Sequence, residues 1–190
     1  MEQKRVLRSE LASRRRSVSP ARREAAGRAV ANHLLLEKRV CAARRVALYA
    51  ALSDELPTRA SFEALRARDQ RCLFPRIRQG TLEFAAVMAW DELRPAELGV
   101  LSPPPEIPAE QLDASDVALV PGVAFDTAGR RIGRGGGHYD RAFADSAASP
   151  RLIGVAYALQ IVTELPADSR DRAVDAIVTE QELRWLVERA

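Results

Sequence analysis

Four short apolar runs constrain this chain more than anything else in it: Val46-Ala47-Leu48-Tyr49-Ala50, Val117-Ala118-Leu119-Val120-Pro121, Leu152-Ile153-Gly154-Val155-Ala156 and Ala176-Ile177-Val178. Each is short for a helix and lacks polar alternation, so each reads as a strand buried on both faces. Such strands, separated by helical stretches, imply a mostly parallel sheet with helices on both faces. The expected fold class is α/β, a three-layer sandwich. Cys72-Leu73-Phe74-Pro75 adds a strand, and Leu82 to Met88 a more alternating one. The proline-dense stretch from Ser102 to Pro108 can be neither helix nor central strand, and reads as a surface connector.

The first forty residues read as two helices preceding that alternation. In the first, Leu7, Leu11 and Val18 share a narrow arc, and Lys4, Arg8 and Arg15 form a basic stripe beside it. Ser19-Pro20 supplies an N-cap and a proline at the first helical position, starting a helix through Ala29, Val30 and Leu34-Leu35-Leu36. Thr58 is expected to cap a helix through Phe62 and Leu65. Thr179 with Glu182 reads as a capping box for a last helix over Leu183, Leu186 and Val187. At 190 residues the chain is expected to be one domain, 1–190, with the 1–40 helical segment packed on it.

Composition removes several function classes. No apolar run approaches the roughly 18 residues of a membrane span, and the charged amphipathic start has no apolar core of a signal peptide. Cys41 and Cys72 share no metal or redox spacing, and only His33 and His138 accompany them, so both read as buried small hydrophobes in a reducing compartment. A cytoplasmic, monomeric protein without a membrane partner is expected. The net charge of +3 demands no polyanion, and with 5% aromatics no stacking platform for nucleic acid is visible, despite Arg14-Arg15-Arg16. Of the 29 basic residues only Lys4 and Lys38 are lysines, which makes any single arginine weak evidence.

The densest chemical signal is Arg131-Ile132-Gly133-Arg134-Gly135-Gly136-Gly137-His138-Tyr139-Asp140-Arg141. Glycines let backbone N–H groups approach a ligand, the helix they feed turns its positive end toward it, and the arginines supply bidentate donors for phosphate oxygens. In physical terms this is a phosphate cradle. It matches neither the P-loop, which needs Gly-Lys-Ser/Thr, nor the dinucleotide fingerprint, which needs glycine where His138 stands. Asp140 reads either as a helix-start carboxylate favoured by the dipole or as a holder of Mg²⁺ shared with phosphates. Asp171, between Arg170 and Arg172, reads alone as a salt-bridge partner, and Glu55 as a carboxylate approaching a helix. A sugar-phosphate isomerase or acyl-transfer enzyme of similar architecture is the rival class, needing an acid–base group and no ATP.

The stretch from Pro121-Gly122-Val123-Ala124-Phe125-Asp126 through Gly129 and Arg131 to Tyr139-Asp140 resembles the signature of the 5-formyltetrahydrofolate cyclo-ligase family, also called methenyltetrahydrofolate synthetases. The resemblance extends to Lys4-Arg5-Val6-Leu7-Arg8, the Ala50 to Glu55 turn, Phe74-Pro75-Arg76 and Val174 to Glu180, and so covers nearly the whole chain. His138 stands where the family usually has tyrosine and Ile132 where it has leucine; from Trp90 to Asp113 only Leu98-Gly99 and the prolines match. The resemblance implies an ATP- and Mg²⁺-dependent ligase that converts 5-formyltetrahydrofolate to 5,10-methenyltetrahydrofolate, releasing ADP and phosphate. It places nucleotide contacts on Lys4, Arg8, Arg131, Ile132, Gly133, Arg134, Gly135, Gly136, Gly137, His138 and Tyr139. It places folate contacts on Ala50 and Glu55, and metal carboxylates on Asp140 and Asp171. Arg134, between two glycines with no core to support, is the catalytic candidate that follows the transferring phosphoryl group.

Overall fold

The apolar runs lie side by side in the middle of one sheet. A computed structural model describes residues 2–144, 149–166 and 172–187. Helices α1 (Glu2–Arg16), α2 (Pro20–Leu36) and the short α3 (Lys38–Cys41) lead into β1 (Arg45–Ala47). Helix α4 (Arg59–Arg66) and the hairpin of β2 (Arg71–Arg78) and β3 (Thr81–Ala86) follow. A small antiparallel pair, β4 (Arg94–Pro95) and β5 (Leu101–Ser102), and the edge strand β6 (Ala109–Glu110) precede the central β7 (Val117–Pro121). Then come β8 (Ala124–Asp126), β9 (Arg131–Ile132), α5 (His138–Ala142), β10 (Arg151–Val155), β11 (Ile161–Val162), β12 (Ala176–Val178) and β13 (Leu183–Trp185).

The main sheet has the order β13-β12-β10-β7-β1-β2-β3-β6. Strands β12, β10, β7, β1 and β2 are parallel, and the antiparallel strands lie toward the two edges. Strand alternation sorts the core. Val46, Leu48, Cys72, Phe74, Val117, Leu119, Ile153 and Val155 face α2 and α4, meeting Val30, Leu34, Phe62 and Leu65. Ala47, Leu73, Ala118, Val120, Leu152 and Ile177 face the other way, toward Phe125 and the Phe143 just past α5. Helix α1 lies on the small sheet β11-β8-β9, where Leu11 meets Val123, Ala124 and Ile132. The second face is therefore covered by α5 and by that small sheet together. Pro75 falls past the last β1–β2 pair, Ala47 with Leu73, where no neighbour needs its missing N–H. Among the described residues no helix is long and apolar enough to cross a membrane.

Four local expectations are corrected. Thr179 does accept from the amides of Gln181 and Glu182, but the chain turns back and pairs β13 antiparallel to β12 instead of starting a helix. The same hydroxyl geometry serves a turn, and the open edge of β12 decides between the two outcomes by offering a ladder to Leu183–Trp185. Thr58 stands at the N-cap of α4, yet its hydroxyl donates to the carbonyl of Tyr49 and makes no cap bond. Val18 lies past the end of α1 and packs on the α2 side, away from Leu7 and Leu11. Cys72 is buried as expected, whereas Cys41 is exposed and donates to the carbonyl of Leu35.

Gly154 marks close packing across the second face. A Cβ there would lie 2.4 Å from Cε1 and 2.8 Å from Cδ1 of Phe125, whose side chain is wholly buried and has nowhere to withdraw. Gly154→Ala is therefore expected to cost about 1–3 kcal/mol by overpacking. Thermal melting should show a fall of roughly 2–12 °C for a chain of this size.

Candidate functional site

The chain order reverses between β1 and β7: from β1 it steps outward to β2, then returns to the other flank of β1. Ligands of open parallel sheets bind at the carboxyl ends of strands at such a point. Two segments meet there, residues 48–58 after β1 and residues 133–137 after β9.

The first segment is tied down at both ends. The Leu48 amide continues the ladder to the Leu73 carbonyl, and the Thr58 hydroxyl donates to Tyr49. The Tyr49 hydroxyl donates to the Leu56 carbonyl at 3.3 Å and the Tyr157 hydroxyl to the Glu55 carbonyl at 3.2 Å. Burial pushes the Tyr157 hydroxyl up to about 12 and that of Tyr49 well above its usual value, with the Glu55 charge adding to the latter. Both stay protonated donors at neutral pH. Ala50 is buried at the strand's end, and Glu55 is only 8% exposed, its Oε2 accepting from the Leu52 amide at 3.0 Å.

The second segment is organised by a buried carboxylate. Asp126 is fully buried; its Oδ1 accepts from the amides of Ala128 and Arg130, and its Oδ2 from Arg130 Nε and the Leu165 amide. These bonds close the β8–β9 turn and give the Phe125-Asp126 part of the signature its structural role. Ile132 is buried in the cluster under α1, so toward a ligand only its backbone is presented. Gly135 (φ 107°) and Gly137 (φ 61°) take left-handed conformations that favour glycine. Gly137 is the N-cap of α5, which is only five residues long. Its dipole contribution is accordingly smaller than the sequence suggested, and what the loop offers an anion is backbone N–H groups and arginines.

The side chains converge from several directions. Arg8 Nε donates to the Gly133 carbonyl at 2.9 Å. Arg131 donates to Asp140 Oδ1 at 2.8 Å and its guanidinium lies 5.7 Å from the Tyr139 ring centre; the Arg172 amide reaches the same Oδ1 at 3.2 Å. Tyr139 packs on Phe143; burial, with Glu55 adding and Arg131 opposing, pushes its hydroxyl above its ordinary value. Arg141 wraps the turn, donating to the Gly136 carbonyl and meeting His138 Nδ1 at 3.1 Å. Arg134 joins the two segments: its Nη2 donates to Asp54 Oδ1 at 2.8 Å and its Nε to Glu55 Oε1 at 3.2 Å. Lys4 lies in α1, and Asp171 lies outside the described residues.

Three participants escaped the sequence reading. Asp54 looked like an ordinary turn residue, Tyr157 lay past a strand, and Arg15 was read only as part of the basic stripe. Arg15 is 2% exposed and donates to Asp54 and to the Gly122 carbonyl. Its position four residues after Leu11, on the apolar side, was the available signal.

Asp140 is a single carboxylate beside the glycine turn, and among the described residues no group of three metal-ligating side chains occurs. Mg²⁺ is commonly held by one or two carboxylates together with substrate phosphates and waters, so this donor set fits it.

The Arg8 contact predicts the loop's behaviour without any ligand. Arg8→Ala removes a charge-assisted bond worth about 1.5–3 kcal/mol. Amide hydrogen exchange over residues 133–137 should quicken by roughly 10- to 150-fold. Arg14→Ala, removing an exposed side chain paired with Glu10 one turn away, should leave it unchanged.

Comparison with known proteins shows the family. The model of the 5-formyltetrahydrofolate cyclo-ligase family matches residues 1–180. The chain is 35% identical over 179 residues to the 5-formyltetrahydrofolate cyclo-ligase of Mycolicibacterium smegmatis, covering 91% of each chain. It is 30% identical to that of Escherichia coli K12, covering 87% of this chain and 94% of the relative. Among solved structures it superposes on the 5,10-methenyltetrahydrofolate synthetase of Aquifex aeolicus with a TM-score of 0.83 and 28% identity, over 98% of this chain and 94% of that one. The glycine-arginine loop at the switch point is thus set in a ligase of known type: the chain belongs to the 5-formyltetrahydrofolate cyclo-ligase family.

Proposed function

We propose that the chain converts 5-formyltetrahydrofolate to 5,10-methenyltetrahydrofolate at the expense of ATP, releasing ADP and phosphate. The activity for which its relatives are named supports the substrate and product. The observation that carries the ATP requirement is Arg134, which brings the phosphate-type loop onto the Asp54–Glu55 turn. A phosphoryl donor and a folate bound to these two segments would meet at that arginine.

The chemistry explains why both are needed. A formamide oxygen is a poor leaving group. In this reading it attacks the γ-phosphorus, forming an O–P bond as the bond to ADP breaks. The nearby ring-closing nitrogen then attacks the activated carbon and loses its proton, and the carbon–oxygen bond breaks to release phosphate. The protein's part is positioning and charge stabilisation. Backbone N–H groups of Gly133 to Gly137 with Arg8 and Arg131 hold phosphates, and Arg134 follows the transferred group. Glu55 accepts from the polar edge of the pterin beside Ala50. Asp140, with Asp171 by resemblance, would hold Mg²⁺, which supplies neutralisation of phosphate charge. The same reading has a monomeric, cytoplasmic enzyme acting on small molecules as a single unit.

Formation of the methenyl product, followed by its absorbance, should require both ATP and a divalent cation; turnover without nucleotide overturns the reading. Glu55→Gln keeps an acceptor for the Leu52 amide but loses the charge. It should weaken 5-formyltetrahydrofolate binding about 10- to 150-fold. Calorimetry should leave ADP affinity within about threefold, and a parallel loss of both affinities would make Glu55 structural.

A further inference from the structure

Arg134 is half-exposed on a loop of glycines, which by themselves leave it many orientations. What fixes it is a carboxylate that is fixed in turn from the protein interior. Asp54 divides its two oxygens between two arginines: Oδ1 accepts from Arg134 Nη2 at 2.8 Å, while Oδ2 accepts from Arg15 Nη2 at 2.5 Å and Nε at 3.2 Å. Arg15 Nη1 donates to the Gly122 carbonyl at 3.3 Å, at the end of β7. Arg23 fastens the same turn from α2, donating to the carbonyls of Ser53, Arg15 and Arg16.

A fully buried guanidinium is costly unless its donors are used and its charge is met. An aliphatic residue at position 15 would have continued the apolar side of α1 that holds Leu7 and Leu11. The arginine instead reaches through the structure and sets where the Asp54 carboxylate stands, one oxygen inward and one toward Arg134. Burial works to raise the Asp54 carboxyl, but the bonds and charge of Arg15, with the charge of Arg134, hold it below its ordinary value. It is therefore ionised at neutral pH. Glu55 is the other partner of Arg134, and the proposed role of Glu55 is to turn to the pterin. Asp54 is then the contact that Arg134 retains.

We propose that Asp54, anchored by the buried Arg15, is a positioning residue that aims the Arg134 guanidinium at the transferring phosphoryl group. The proposal rests on the reading of Arg134 given above. Asp54 touches neither reacting group; it acts through Arg134.

The test is a set of variants read by kcat, folate KM, ADP affinity by calorimetry and thermal melting. Asp54→Asn should lower kcat about 10- to 100-fold, with folate KM and ADP affinity within about threefold, and Asp54→Glu should restore part of the rate. Asp54→Asn leaves Arg15 short of a counter-ion and should melt lower, so the double variant Arg15→Met with Asp54→Asn removes both charges. It should recover the melting temperature and stay slow. If it recovers kcat as well, Asp54 is only the counter-ion of Arg15 and the proposal is wrong. On an Arg134→Ala background, Asp54→Asn should add no further loss, because the two act as one unit. If Arg134→Ala is slow and Asp54→Asn multiplies that loss in full, positioning through Arg134 is overturned while the role of Arg134 stands. If Arg134→Ala leaves kcat unchanged, it is the reading of Arg134 that fails, and the proposal with it.

Discussion

A parallel sheet covered on both faces leaves a chain little room for chemistry except at its strand ends. Here Val46 and Ala47 of β1, Cys72 to Phe74 of β2, Val117 to Val120 of β7, Leu152 to Val155 of β10 and Ala176 to Val178 of β12 send apolar side chains to both layers. Polar positions toward the site come past the ladder bonds of β1 and β7. At the carboxyl ends of β1 and β7, neighbours in space but far apart in sequence, those positions are Asp54, Glu55 and the turn beginning at Gly122. The site is where it is because the core permits it nowhere else along those strands.

Arginine is the fastener that carries this order outward. Arg45, buried at the start of β1, pairs with Asp116 and Glu110 and donates to the Gln111 carbonyl, pinning the approach to β7. Arg76, buried in β2, donates to the carbonyls of Pro104 and Ile107, holding the proline-rich connector that has no ladder of its own. Arg15 does the same for the Asp54 turn and the end of β7. In each case one planar group with several donors satisfies carbonyls or carboxylates from segments distant in sequence. A composition so poor in lysine is thus put to structural use: lysine's compact ammonium could not span the same sets of acceptors.

What was legible in the sequence follows from range. The strands, Ser19-Pro20 at the start of α2 and the glycine turn into α5 are local, and periodicity or backbone freedom revealed them. Thr179 shows the limit of local reasoning. Its hydroxyl makes the bonds expected of a cap, and the open edge of β12, which ends one residue earlier, decides that the result is β13. Glu55 and the loop around Arg134 were visible as a pattern, but Asp54 and Arg15 were not. Their meaning lies in pairing across 39 and 80 residues, which no spacing rule reports. Cys41 was misread for the opposite reason: a residue type that is usually buried sits at the exposed end of a four-residue helix.

The glycine turn itself poses an electrostatic problem that the surrounding carboxylates solve. Arg131 and Arg134 are three residues apart on a segment whose backbone N–H groups are also positive in character, and nothing in the loop is negative. Left alone, the two guanidiniums would repel and disperse into solvent, and the loop would have no defined shape. Instead each is drawn to its own acid: Arg131 inward to Asp140, at the start of the helix the loop leads into, and Arg134 across to Asp54 and Glu55 on the turn after β1. The two pairs reach different segments, so the backbone of Ile132 and Gly133 between them is held from both sides. Arg8 then ties the Gly133 carbonyl to α1 and turns one acceptor away from the concave side. A loop that would be floppy by composition is given a fixed shape by charge. Asp54 and Glu55 stand on the turn after β1 and Asp140 in α5, so the shape is set jointly by the sheet and by the helix that follows the loop.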